Sequence, residues 1–542
     1  MSKRLLRSVL SPKYYSVCPA IGTNFTWNLT NTQNWMQLFG TPFFSNNGTT
    51  YGQFITYPVS KGNTLVMLTN GNSTYTIQAS TNITFNQLFS VSSATIATNT
   101  SSSITVDGGS PKFWSLSGAT TAINVPITCL NPLLITGPSG ATWTLNASNI
   151  FANGIQNTGG ILQTNNSNGF GNGTIIVGPS AGSTAFRLTA SSINCPCNFI
   201  LNSSVLGVAS RAQLEATGNS VNATFSGVIT IGSGFNISNG GIFGASGTSA
   251  ILNITGPING TIGTLGGGFF QRLGIVIYSG GGSLTGSMTL DNTAGCTARI
   301  GATNGMPTGG SLAFGGTSNI LDLNGFSQSF SGLSGAGIIS NGSTTANGTF
   351  LLTGSLSNTY PGVVSDVTGT GTKTTSFIYN SSGTGTFSGI WTNTGGLTIS
   401  SGTFKLMGTT SCSIAVNNGI LLGTGTSSGS ITVANTTGAI LAGGTGTGDA
   451  GTLTCGVLTF NGASSAINVY GTGAAVSVIA STGAVTLSGV IVNIINATNA
   501  GTYNIITSTI SMSGTATIGT NNSGRTVTSL SISGNNLQLI LT

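Results

Sequence analysis

Residues 309–342 read Gly-Gly-Ser-Leu-Ala-Phe-Gly-Gly-Thr-Ser-Asn-Ile-Leu-Asp-Leu-Asn-Gly-Phe-Ser-Gln-Ser-Phe-Ser-Gly-Leu-Ser-Gly-Ala-Gly-Ile-Ile-Ser-Asn-Gly. The apolar positions fall two apart or in short groups: Leu312 and Phe314, then Ile320, Leu321 and Leu323, then Phe326 and Phe330, Leu333, and Ile338 with Ile339. Gly, Asn or Ser closes each group. This is strand periodicity with turn punctuation, and no i, i+3, i+4 stripe runs through it. Strands of three or four residues cannot bury a face alone. They must stack on copies of themselves, which predicts a solenoid of β-coils.

Composition points the same way. Charged residues are 4% of the 542, against about a quarter in ordinary soluble domains, while Gly numbers 84 and the apolar fraction is 38%. Disordered chains pair high net charge with few β-branched residues, so this chain is expected to fold. A solenoid grows in one dimension and escapes the size limit of a single core. With so few charges the surface must be hydroxyls and amides of Ser, Thr and Asn, a surface suited to an extracellular or virion setting. The net charge of +7 is concentrated: Lys3, Arg4, Arg7 and Lys13 leave nine basic and six acidic residues for the remainder. A nearly neutral body offers no basic groove, so no nucleic-acid partner is expected.

Three regions are expected. Residues 1–60 combine a basic tail with an aromatic-rich segment, including Tyr14, Phe25, Trp27, Trp35, Phe39 and Tyr57, read as an N-terminal cap and attachment segment. A solenoid end left open exposes unpaired backbone groups, which is why a cap is needed. Residues 61–305 read as an irregular β-solenoid, with rungs at Thr64 to Leu68, Tyr75 to Ile77, Ile104 to Val106, Trp143 to Leu145, Thr174 to Val177, Val228 to Ile231, Ile251 to Ile254 and Gly274 to Tyr278. Residues Ser204 to Ala216, with Arg211 and Glu215 at i, i+4, read either as one short helix or as another coil. Residues 306–542 read as a regular solenoid. The expected fold class is therefore all-β, an elongated parallel β-helix with an aromatic-rich N-terminal cap.

In the regular part, Gly396-Leu-Thr-Ile-Ser-Ser-Gly-Thr-Phe-Lys-Leu-Met-Gly is followed by Ser413-Ile-Ala-Val-Asn-Asn-Gly-Ile-Leu-Leu-Gly and by Gly451-Thr-Leu-Thr-Cys-Gly-Val-Leu-Thr-Phe-Asn-Gly. These units resemble the autotransporter-associated β-strand repeat, in which a Gly-Gly-x-Leu-x-[Leu/Ile/Val]-x-x-Gly-x-[Leu/Phe] unit recurs along a parallel β-helix passenger. Leu321-Asp-Leu-Asn-Gly-Phe-Ser-Gln-Ser-Phe-Ser-Gly-Leu-Ser-Gly-Ala-Gly resembles the linking unit of that family, and Leu530 to Thr542 its passenger ends. Phe25-Thr-Trp-Asn is similar to its usual opening. The resemblance covers residues 306–542 and implies a bacterial surface or extracellular-matrix adhesin. The family usually carries a cleaved signal and a translocating barrel or sorting tail. Here Arg7, Pro12 and Lys13 break the first apolar run, and no stretch approaches the roughly 18 apolar residues of a transmembrane helix. Virion fibres and spikes assembled inside a host cell need no such signal and fit this pattern.

Chemistry is sparse. With no histidine, the usual triads and zinc sites are missing, and no Gly-Lys-Ser/Thr phosphate loop occurs. The acids are Asp107, Glu215, Asp291, Asp322, Asp366 and Asp449, none adjacent in sequence. A polysaccharide-cleaving β-helix needs carboxylates about 5 to 10 Å apart, and Asp291 with Asp322 are the candidates if neighbouring coils bring them together. Seven cysteines, among them Cys195 and Cys197 around Pro196, read as small core residues. Roughly twenty Asn-x-Ser/Thr sequons carry little weight in a chain so rich in these residues. No catalytic, cofactor or metal site is expected. The candidate site is an anchor of Lys3, Arg4, Arg7, Lys13, Trp27 and Trp35, joining charge attraction to aromatic contact. The expected role is a non-enzymatic fibre or spike component of a virion, with the adhesin and the glycan-cleaving enzyme as alternatives. Expected partners are other copies of the chain or other structural proteins of a virion or cell surface, with host glycans or a receptor beyond them.

Overall fold

A computed structural model describes the strands Phe44–Ser45, Phe54–Ser60, Asn63–Leu68 and Ser73–Ile77 and, apart from short breaks, residues 82–542. The chain is all-β, a parallel β-solenoid of about 16 turns, with no helix among the described residues. Two compact units are distinguished: Met1–Gly240 with Ser246–Ala250, and Gly241–Ala245 with Ile251–Thr542.

Each coil is built from three short strands. In the first unit Gln87–Ser90, Ala94–Thr98 and Ser103–Val106 are followed one coil on by Lys112–Ser115, Thr120–Ile123 and Ile127–Cys129. All three pairs are parallel and in register, as in Gln87 with Lys112, Thr95 with Ala122 and Thr105 with Thr128. In the second unit Ile414–Val416, Ile420–Gly423 and Thr426–Ser427 define a first, second and third face. The register carries Leu397 onto Ile414, Ile431, Leu458 and Val485 along the first face. Those side chains point inward and are buried, while the intervening Thr398, Ala415, Thr432 and Thr459 point outward and are half-buried. Strand alternation thus converts a period of two in sequence into an apolar column inside and a column of threonines, with one alanine, outside.

Coil length varies more than the face pattern. Thr409 pairs with Thr426, 17 residues on, whereas Ile200 pairs with Thr230, 30 residues on. The extra residues lie in the corners. Glycine permits the tightest corners: a Cβ on Gly389 would lie 1.7 Å from the carbonyl oxygen of Gly362, and one on Gly408 would lie 2.1 Å from that of Gly389. Backbone of consecutive coils stacks too closely there for any side chain.

Both unit ends that are described carry antiparallel strands. Phe44–Ser45 runs antiparallel to Ser73–Ile77, and Phe54–Ser60 to Asn63–Leu68. At the other end of the chain Asn536–Leu541 lies antiparallel between Gly501–Ser508 and Val527–Ser533. A reversed strand interrupts the parallel ladder that a further coil would otherwise extend.

The rungs expected between residues 61 and 305 are all strands, with ends within one or two residues. One open local reading is decided and one grouping changes. The stretch with two readings, Ser204 to Ala216, contains strands Val205–Leu206 and Ala212–Thr217, so the coil reading holds and the helix does not. Phe326 and Phe330 do not form an inward pair; Gln328 and Phe330 do, with Phe326 in the preceding turn. Gln328 is fully buried because its amide imitates a strand, Oε1 accepting from Met306 N at 3.0 Å and Nε2 donating to Met306 O at 3.3 Å.

Candidate functional site

The expected anchor residues Lys3, Arg4, Arg7, Lys13, Trp27 and Trp35 lie outside the described residues. So do the other aromatic residues of that cap before Phe44. What the described part offers chemically is a set of carboxylates and thiols.

Asp322 ends the third-face strand Ile320–Asp322 and is fully buried. Its Oδ2 accepts from Arg299 Nε at 2.7 Å, and Oδ1 accepts the backbone N–H groups of Asn324 at 2.9 Å and Gly342 at 2.6 Å. Arg299 is the register partner of Asp322 on the preceding coil. Three hydrogen bonds, from Arg299 on the preceding coil, from Gly342 on the next and from Asn324 two residues on, hold this buried carboxylate inside the protein rather than presenting it to a substrate. Asp291, its proposed catalytic companion, lies outside the described residues.

Glu215 repeats the device in the first unit. It sits opposite Arg187 in the parallel register and accepts from Arg187 Nε at 3.0 Å. The pairing runs across coils, 28 residues back. Asp366 accepts the N–H groups of Thr375 and Thr394, each at 2.9 Å, pinning a corner to the next coil. Asp449 accepts from the hydroxyl and N–H of Thr445, both at 2.6 Å, and the Thr445 hydroxyl leads in holding its carboxyl below the usual range. Each of these acids therefore fastens backbone or a neighbouring arginine.

The six described cysteines are all buried, as thiols rather than disulfides. Burial pushes the Cys129 and Cys455 thiols up to about 11, and raises Cys412 as well. Cys195 and Cys197 both point inward around Pro196, and Cys197 donates to Gly171 O at 3.1 Å. The hydrogen bond between Cys195 and Cys197 raises the first thiol and lowers the second, while Cys129, Cys412 and Cys455, held protonated by burial, are poor nucleophiles and poor ligands. Among the described residues no cluster of three or more His, Cys, Asp or Glu could hold a metal ion.

The largest side chains fill the interior. Phe387 and Phe404, on successive second-face strands, stack at 4.1 Å with planes 6° apart, and Trp391 lies 4.8 Å from Phe377. Trp391 is buried with its indole N–H unpartnered, packing as a core residue. In this architecture inward positions are filled and corners are tied, so what remains to interact is the outer surface of the coils. No helix of the described part is long and apolar enough to cross a membrane. No protein-family model matches the chain, and no curated protein matches it.

Proposed function

We propose that the chain is a non-enzymatic structural surface protein, a β-solenoid component of a virion fibre or spike held by its N-terminal end. The observation that carries this reading is where four of the described acids are spent. Asp322, Glu215, Asp366 and Asp449 are each consumed in fastening one coil to another or closing a corner. A body so arranged presents surface and mechanical continuity rather than reactive groups. The basic and aromatic residues Lys3, Arg4, Arg7, Lys13, Trp27 and Trp35 supply the attachment, because aromatic and arginine side chains are enriched at the centres of protein interfaces. The location that follows is the virion surface or another extracellular surface, where Ser, Thr and Asn hydroxyls and amides meet water, host glycans or a receptor.

A second reading, a bacterial surface or matrix adhesin, is favoured by the repeat resemblance over residues 306–542. Gold-labelled antibody against the folded chain separates the two on native material. Label on purified particles supports the virion reading, and label confined to cell envelopes supports the adhesin. Label found only in the cytosol, on neither, would defeat both. A glycan panel assayed with the intact chain and with Asp322→Asn tests the non-enzymatic part; reducing ends released by the first and not by the second would overturn it.

A further inference from the structure

The third face of the second unit carries an outward column that changes character partway along. In register it runs Ile251, Ile275, Thr297, Ile320, Ile338 and Val363. The pairing of Val364 with Trp391 places Ile390 next, and Thr409, Thr426, Thr454, Ala480 and Thr507 follow. Six of the first seven residues are Ile or Val, the side chains from Ile251 to Val363 are half-buried, and Ile390 is 61% exposed. The inward neighbours, Leu252, Val276, Ala298, Leu321, Ile339, Val364 and Trp391, already fill the core.

Strand propensity does not account for the column. Thr is β-branched as well and occupies the same position in the later coils. The second face of the same coils carries hydroxyls and one small alanine in its outward column, with Thr289, Ala313, Ser334 and Thr359 in register. On the first face outward apolar residues are limited to the pair Leu351 and Ile378, between Ser329 and Thr398 in register, whereas on the third face they recur over seven coils, a stripe of the kind that marks interaction sites.

We propose that this stripe is a self-association surface, on which a second copy of the chain packs its own stripe. Its teeth recur at the strand spacing of about 4.8 Å, and two sheets meet face to face about 10 Å apart. A partner interdigitates along the whole length only if it has both the same repeat, which every parallel face of the solenoid shares, and apolar teeth upon it, which the stripe itself supplies. Charge agrees with this occupant. The stripe holds no ionisable residue, and Arg299 in the adjoining column is neutralised by Asp322 at 2.7 Å. Two copies of a chain of net charge +7 thus meet without like charges opposed. Full overlap requires a two-fold axis, parallel or perpendicular to the column, and in either case Ile320, fourth of the seven, lies beside its counterpart. The inference rests on the structural-assembly reading above, to which it adds the face on which copies meet.

The test uses the full chain. Sedimentation velocity across a concentration series compares the unaltered protein with the triple variant Ile320→Thr, Ile338→Thr, Val363→Thr, which installs the residue already present at Thr409 and Thr426. The unaltered protein dimerises, and the variant's association constant is at least about tenfold lower with an unchanged circular-dichroism spectrum. Ile320→Cys gives a covalent dimer on mild oxidation, whereas Thr507→Cys does not; the six described native cysteines are buried and do not interfere. A single cysteine keeps the test decisive should the triple variant fail to fold. Equal association by the triple variant overturns the proposal, as does a wild-type chain that stays monomeric at all concentrations. A monomeric chain that still incorporates into particles would remove the stripe interface and leave the structural role standing.

Discussion

Between Leu397 and Phe460 the inward column of the first face is Leu397, Ile414, Ile431 and Leu458, with Ile399, Val416, Val433 and Phe460 beside it, all apolar. Between Arg299 and Asn341 the interior instead includes Asp322, Gln328 and Asn341, all fully buried. The polar region survives because every such group reaches a neighbouring coil: Asn341 Oδ1 accepts from Gly325 N at 2.8 Å, and its Nδ2 donates to Thr374 O at 3.0 Å. One region is held by repetition of shape and the other by specific bonds. Repetition tolerates substitution of one aliphatic residue by another, whereas a saturated polar rung loses several partners at once.

The largest effect belongs to neither region's side chains but to the corners they share. Gly389→Val forces atoms into the carbonyl of Gly362. It should cost more than about 4 kcal/mol or abolish soluble expression. A urea midpoint close to that of the unaltered chain would show that the coils can part there. Next comes a direct contrast between the two regions. Arg299→Ala strands the buried carboxylate of Asp322 and should cost roughly 3 kcal/mol, the low end for a broken buried pair because the arginine is partly exposed. Ile414→Ala in the apolar region should cost a similar roughly 2 to 4 kcal/mol through its cavity. The two separate on reversal: Asp322→Asn should recover part of the Arg299→Ala loss, and no polar partner should recover Ile414→Ala.

A smaller effect appears with pH. The Cys129 and Cys455 thiols lie at about 11 in the folded chain against 9.0 unperturbed. Their burial therefore stabilises the fold fully below pH 9 and is lost progressively as pH rises from 9 towards 11, where the unfolded chain gains by ionising. Thermal melts should be flat from pH 6 to 8 and fall above 9, and Cys455→Ser should flatten part of that fall. The smallest effect is that of salt. Ladder bonds and apolar columns are not screened, so raising NaCl from low to about 1 M should move stability by less than about 1 kcal/mol.

The rungs were legible in the sequence because alternation and glycine punctuation are local signals; Ile251–Ile254 is a strand from end to end as read. The polar rungs were not. Arg187 and Glu215 are 28 residues apart and Arg299 and Asp322 are 23, and coil lengths between 17 and 32 give no fixed offset at which to look for a partner. Gln328 reads as a surface residue until Met306 is placed beside it. Glycine content announced tight corners without saying which of the 84 glycines stack carbonyl on backbone. The anchor lies where sequence is the only guide, since Lys3 to Trp35 precede the first described strand.

That segment holds the most direct test of the structural role. Deleting residues 1–43 removes all six anchor residues and retains Phe44–Ser45 and Phe54–Ser60, the antiparallel strands of the first unit. The quantity to measure is the fraction of truncated chain incorporated into native particles or cell envelopes, relative to the full chain expressed beside it. The account predicts an unchanged β-rich circular-dichroism spectrum with incorporation reduced to background. Incorporation equal to that of the full chain, by a truncated protein with the same spectrum, would contradict it.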